Sequence, residues 1–229
     1  MRQAWVIGGV SGIGRATADL LQTFGRNVLV SGINVDVREE KELTEGFEAW
    51  VAGTDPEDKF ELVYSAGVNK LSYISGIDQT DVSDIFDVNV FGFIRCLQIM
   101  RDLGLRNVHV VAISSDAAVR PMRTSLAYCS SKAALNMAVQ CAARELAVHG
   151  WRVNAVAPGM IDGTPMTEYI DDTVPALRGW DPDDAREYEN SQLVIKRRGG
   201  VDEVASAVRF LLDGPDYING HILTVNGGR

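Results

Sequence analysis

Ala4-Trp5-Val6-Ile7-Gly8-Gly9-Val10-Ser11-Gly12-Ile13-Gly14 is the stretch that decides the fold. Its first four residues form a continuous apolar run, the mark of a strand buried on both faces. Glycines at 8, 12 and 14 follow with the spacing G-x3-G-x-G. Ala16, Leu20 and Phe24 then recur at helical spacing until Gly25 stops the helix. A strand, a glycine-rich turn and a helix in that order form a cradle for phosphate. Glycines let the backbone pass close to a pyrophosphate, and the helix amino end offers free N–H groups and the positive end of its dipole.

Outward from this turn, strand and helix patterns alternate. Val28–Val30, Phe60–Tyr64, Val108–Ile113, Val153–Val156 and Ile222–Val225 read as buried strands. Arg38–Trp50, Asp81–Leu103, about Ser130–His149 and a late stretch through Val204, Val208 and Leu211 read as helices. Such alternation with short connections predicts an α/β fold: a doubly wound, mostly parallel sheet with helices on both faces. Residues 1–229 are expected to form a single Rossmann-like domain. Met160 to Arg198 breaks the rhythm, being charged and carrying Pro165, Pro175 and Pro182. It follows the carboxyl end of a strand, where doubly wound sheets bind ligands, so it is expected to be a mobile, substrate-covering segment.

Composition narrows the function. With 22 basic and 31 acidic residues the net charge is −9, which disfavours nucleic acid as a partner. Cys96, Cys129 and Cys141 are odd in number and form no CxxC, which argues for reduced thiols in a cytoplasmic setting and against a zinc site. His109, His149 and His221 are scattered, and no metal is expected. No apolar run approaches the roughly 18 residues of a membrane span, and the opening residues are too short for a signal peptide.

The second motif is Tyr128-Cys129-Ser130-Ser131-Lys132, a Y-x3-K. Residues four apart share one face of a helix. An ammonium beside a phenol favours the phenolate and lowers its pKa from about 10. Tyr128 then becomes a general acid for a carbonyl oxygen, or a base for an alcohol. Ser115 lies thirteen residues upstream at the end of the Val108–Ile113 strand, and Asn89 sits in the preceding helix.

Asn89, Ser115, Tyr128 and Lys132, taken with Gly8, Gly12 and Gly14, resemble the short-chain dehydrogenase/reductase family in order and spacing, and the resemblance runs from Ala4 to Gly228. It implies an oxidoreductase that uses NAD(P)(H) and moves a hydride between the nicotinamide and a secondary alcohol or ketone of a small molecule. By this resemblance Tyr128 transfers the proton, Lys132 lowers its pKa and holds the nicotinamide ribose, Ser115 hydrogen-bonds the reacting carbonyl, and Asn89 holds a water in a relay to Lys132. Cofactor contacts are expected at Gly8, Ser11, Gly12, Ile13, Gly14, Asp36, Val37, Ala66, Gly67, Tyr128, Lys132, Pro158, Gly159, Ile161 and Thr164. Ile161 would pair through its backbone with the carboxamide, and Thr164, displaced by Gly163, would touch the amide or the phosphates.

The chain departs from the family at several points. Ile7 stands where threonine is common, Ser65 where asparagine is, and Asn226 where aspartate is. Ser31-Gly32-Ile33-Asn34 carries neither the acid that binds a ribose 2′-OH nor the arginine that favours a 2′-phosphate, which leaves NAD against NADP open. Asp36-Val37 resembles the family's adenine-contacting pair; Asp36 reads equally as the N-cap of the next helix. Only four residues separate Ser31 from Asp36, while a parallel crossover needs a dozen or more. The family's helix between strands two and three is therefore expected to be missing, and its third strand vestigial or absent.

The Ser114-Ser115-Asp116-Ala117-Ala118 stretch resembles dehydrogenases of dihydroxylated rings, and the whole chain resembles 3-oxoacyl-carrier-protein reductases. The acids in 160–198 would repel an acidic carrier protein, which favours a small alcohol or ketone. A non-catalytic dinucleotide sensor on the same fold is the alternative of a different class. The family commonly forms homo-oligomers, dimers or tetramers.

Overall fold

The computed structural model describes residues 1–55 and 57–229. In chain order it runs β1 (Arg2–Ile7), α1 (Gly12–Thr23), β2 (Asn27–Ser31), α2 (Glu40–Val51), β3 (Lys59–Tyr64), α3 (Gln79–Phe86), α4 (Gly92–Asp102) and β4 (Val108–Ile113). It continues through α5 (Leu126–Leu146), β5 (Arg152–Pro158), β6 (Ile161–Asp162), α6 (Pro165–Arg178), α7 (Pro182–Ser191), β7 (Gly199–Gly200), α8 (Val201–Asp213) and β8 (Ile222–Val225). Six strands form one sheet in the order β2-β1-β3-β4-β5-β8, every ladder parallel, and β6 pairs with β7 apart from it.

Side-chain alternation along β1 shows why its apolar run is unbroken. Trp5 and Ile7 enter the core beneath α2, α4 and α5, while Ala4 and Val6 enter the core beneath α1 and α8. Leu43, Phe47 and Trp50 form the buried stripe of α2. Trp5 meets Phe47 edge-on at 4.5 Å between ring centroids, and Trp50 meets Phe60 at 5.3 Å. Aromatic pairs of this geometry add about 0.5–1.5 kcal/mol each beyond their burial.

The chain leaves β1 for β2 on one side, then returns to β3 on the other. That reversal opens a crevice at the carboxyl ends of β1 and β3, the place where open α/β sheets bind ligands. Between Ser31 and Asp36 there is neither helix nor strand, as the spacing requires, and β2 is the edge of the sheet. The helix that crosses from β2 to β3 is α2. It starts at Glu40 with Glu39 as its N-cap, so Asp36 is not a cap. The Asp36 carboxylate instead accepts from the backbone N–H of Arg38 at 3.0 Å and from its guanidinium.

The expected helix Asp81–Leu103 is α3 and α4 joined by one π-helical turn, Asp87–Phe91. The Tyr128 helix begins at Leu126, earlier than its apolar periodicity indicates. Residues 160–198 are two helices rather than an irregular loop. Each opens on a proline at its first position behind a capping Thr164 or Asp181.

Candidate active site

The glycine turn is held by β2. The N–H groups of Gly8 and Gly9 both donate to the Ser31 carbonyl, at 2.9 and 2.8 Å. Gly8 has φ +78°, and a Cβ there would lie 2.5 Å from the Ala66 nitrogen, so β1 ends pressed against the exit of β3. A Cβ on Gly14 would lie 2.1 Å from the Gly8 carbonyl oxygen, which seats α1 directly on the turn. Ser11 caps α1 without a side-chain hydrogen bond, and the first turn carries no acid. Thr164 lies across the turn: a Cβ on Gly12 would meet its side chain at 3.3 Å. Two helix amino ends, those of α1 and α6, thus converge on one cleft.

The cleft has two halves that share Gly8, Ser11, Ser65 and Gly67. One, of about 560 Å³, is walled by Asp36, Val37, Arg38, Ala66 and Gly67. The other, of about 210 Å³, holds Gly12, Ile13, Ser115, Tyr128, Lys132, Pro158, Gly159, Ile161 and Thr164. Of the expected site residues, Gly14 and Asn89 line neither half. Gly14 is covered by the turn, and Asn89 is fully buried.

Asn89 works from behind. Its amide accepts from Val68 N–H at 2.9 Å and donates to the Val68 carbonyl and to Ser131 Oγ, each at 3.0 Å. Ser131 Oγ passes the contact on to the Tyr128 carbonyl at 2.8 Å. The Asn89 side chain thus braces the loop after β3 against α5. The π turn directs it inward.

Tyr128 and Lys132 do share a face of α5, with the Lys132 amine 5.7 Å from the phenol ring centre. Lys132 Nζ donates to the Ile113 carbonyl at 2.9 Å. Burial pushes this amine down to about 8. Burial also pushes the Tyr128 phenol up to about 12, partly opposed by a hydrogen bond with Ser115 and reinforced by the Asp116 charge. The expected acidification of the phenol is thus not what the structure shows. Desolvation is the largest influence on the phenol, and the Lys132 amine is directed at the Ile113 carbonyl. Ser115 also caps the short turn Asp116–Ala118, accepting from Ala117 N–H at 3.1 Å.

Thr164 and Ile161 are also partly committed. Thr164 Oγ1 accepts from Thr167 N–H at 3.0 Å, and the Ile161 carbonyl accepts from Thr167 Oγ1 at 2.6 Å. The sequence reading missed Asp116, Met122, Met166, Ile170 and Arg229 in the wall. Adjacency to Ser115, within the Ser114–Ala118 stretch already noted for its resemblance, was the signal for Asp116. None existed for Arg229, which arrives from the far end of the chain.

A glycine cradle whose Cβ positions are filled by backbone, an uncapped helix amino end and a Tyr–Lys pair on one cleft fit a nicotinamide dinucleotide, and the chain belongs to the short-chain dehydrogenase/reductase family. Residues 31–229 match the family profile described as enoyl-(acyl carrier protein) reductase. L-xylulose reductase of Caenorhabditis elegans is 37% identical over 171 residues, covering 73% of this chain and 64% of that protein. Carbonyl reductase family member 4 of Danio rerio is 32% identical over 99% of this chain and 97% of its own. The solved aldohexose dehydrogenase of Thermoplasma acidophilum superposes with a TM-score of 0.86 at 26% identity, covering 99% of this chain and 93% of that one. The protein is an NAD(P)-dependent oxidoreductase of the CH–OH group.

Proposed function

We propose that this enzyme interconverts a small secondary alcohol and its ketone, with Tyr128, Ser115 and Lys132 as the catalytic residues and Asn89 as a positioning residue. The observation that carries the reading is the meeting of these three side chains with the glycine turn in one cleft. A bound nicotinamide dinucleotide supplies the hydride donor or acceptor. The free N–H groups at Ser11–Ile13 suit its pyrophosphate, and Asp36, Val37, Ala66 and Gly67 line the adenosine half.

Ser115 and Tyr128 present two hydroxyls to one substrate oxygen. The Tyr128 phenol carries its proton at neutral pH, the form needed to protonate a carbonyl oxygen during reduction. Lys132 Nζ faces Gly67 across the cleft floor, where it can reach a ribose hydroxyl. Met160, Ile161, Thr164, Met166 and Ile170 line the catalytic half, which supports the start of residues 160–198 as its cover. The acidic surface and three unpaired cysteines support a cytoplasmic location, and the family resemblance supports a homo-oligomer, which light scattering measures directly.

The test is titration of NADH and NADPH followed by a panel of small ketones, with Tyr128→Phe as control. Hydride transfer that Tyr128→Phe abolishes supports the reading. Cofactor binding with no transfer to any ketone, and indifference to that substitution, overturns it in favour of a dinucleotide sensor.

A further inference from the structure

Helix α6 lays Met166 and Ile170 on the wall of the catalytic half. Tyr169 and Asp171, two positions apart, project to opposite flanks of this helix. The two flanks are held unequally. Asp171 pairs with the buried Arg198 guanidinium through two 2.7 Å bonds. On the other flank the Tyr169 hydroxyl accepts the Leu71 N–H at 3.1 Å, and the Tyr73 hydroxyl reaches the Leu177 carbonyl only at 3.5 Å. Bonds between ions are roughly twice as strong as neutral ones, so the Leu71 flank is the lighter hold.

Leu71 and Tyr73 belong to the loop that leaves β3, and this loop is moored to the catalytic elements. Val68 exchanges two hydrogen bonds with Asn89, and the Ser72 N–H donates to the Thr124 carbonyl at 2.8 Å. Thr124 lies just ahead of α5, and its φ of +66° is strained for a β-branched residue. Such strain persists where the surroundings over-determine it, commonly beside an active site. The Arg123 guanidinium lies 5.8 Å from the Tyr73 ring centre. The loop is thus a fixed post, and Tyr169 is where the cover meets it.

We propose that Tyr169 is a positioning residue of this reaction: its bond to Leu71 latches α6 over the substrate, and the latch parts to let ketone in and alcohol out while the Arg198 flank stays closed. Tyr169 lines neither half of the cleft. It acts through Met166 and Ile170, which shield the reacting carbon from water when α6 is down. The proposal rests on the oxidoreductase reading of the cleft.

Tyr169→Phe keeps the ring and removes only the acceptor. The Leu71 amide reports the latch directly, by residue-resolved hydrogen exchange on protein saturated with reduced dinucleotide. Its exchange should quicken by about fivefold or more in Tyr169→Phe, the scale of one neutral hydrogen bond, while the amides of α7 exchange as in the wild type. With the best ketone of a panel, KM should rise by a similar factor and kcat should hold or rise, because the chemistry is untouched. Leu71 exchange and KM both unchanged, or a fall in kcat at constant KM, would overturn the proposal. Faster exchange throughout α6 and α7 with a lowered urea midpoint would show a structural role alone and would overturn it too. If the wild type reduces no ketone, the oxidoreductase reading falls and the proposal with it. If the wild type is active and Tyr169→Phe matches it in both readouts, the proposal alone falls.

Discussion

The amine of Lys132 is tied to the Ile113 carbonyl, the last residue of the central strand β4, at 2.9 Å. A main-chain carbonyl at a strand end thus orients the side chain that would reach the cofactor ribose, and it does so in a buried setting that holds the amine near 8.

That burial has a pH signature. The folded value of about 8 lies below the ordinary 10.5, so folding disfavours the charged amine. Below pH 8 Lys132 is charged in both states and the full penalty applies; between 8 and 10.5 the penalty fades; above 10.5 it is gone. In urea unfolding, the stability of the wild type relative to Lys132→Met should therefore rise across this window, by up to about 3 kcal/mol at 1.36 kcal/mol per pKa unit. A flat difference from pH 7 to 10.5 would refute the assignment.

Removing the phenolic hydroxyl removes the proton donor. Tyr128→Phe should lower kcat by about 10²–10⁴-fold with little change in dinucleotide affinity, measured by fluorescence titration. Loss of affinity in step with kcat would show instead that Tyr128 matters for binding.

Gly14 reverses a familiar rule. Alanine in place of glycine inside a helix usually adds about 1 kcal/mol of stability. At Gly14 the new methyl would lie 2.1 Å from the Gly8 carbonyl, backbone against backbone, so Gly14→Ala should cost about 3 kcal/mol or more and weaken dinucleotide binding. Gly25→Ala, where nothing lies within 4 Å, should cost only the strain of its φ of +77°. Chemical denaturation of the two variants side by side reads the difference.

Arg198 fastens residues 160–198. Its buried guanidinium makes paired 2.7 Å bonds to Asp171 of α6, a 2.9 Å bond to Glu189 of α7 and a 3.2 Å bond to Asp162 of β6. Arg198→Met leaves three carboxylates facing one another. Because these are partly wet, the cost should be about 2 kcal/mol rather than that of a fully buried pair. Limited proteolysis should then cut α6 and α7 first. Arg198→Lys should recover little, since an ammonium cannot form the paired contact.

Most of the sheet was legible because the central strands β1, β3, β4 and β5 are buried on both faces and so read as largely apolar runs. The Ser31–Asp36 spacing was legible as simple reach, and Tyr128 and Lys132 met as helical periodicity required. Other features depended on what a one-dimensional pattern does not carry. The Tyr128 phenol is raised chiefly by burial, which helical spacing does not carry. Asp36 lost the capping role because Glu39 stands closer to the first helical turn. The helices α6 and α7 were signalled by Thr164-Pro165 and Asp181-Pro182, but their acid-rich, weakly apolar sequence masked the periodicity. Arg229 and Asp116 line one wall from positions almost half the chain apart, where local spacing is silent.

The π turn at Asp87–Phe91 gives this protein an unusual weak point for length. A helix interior ordinarily tolerates substitution, while loops absorb insertions and deletions. Here the surplus residue sets the angular offset between two halves of one rod, α3 packing toward α5 and α4 toward α2. Deleting a single residue from it would act as a twist of roughly 100° on everything beyond. Asn89 would swing off Val68 and Ser131 although every residue of the cleft wall was still present.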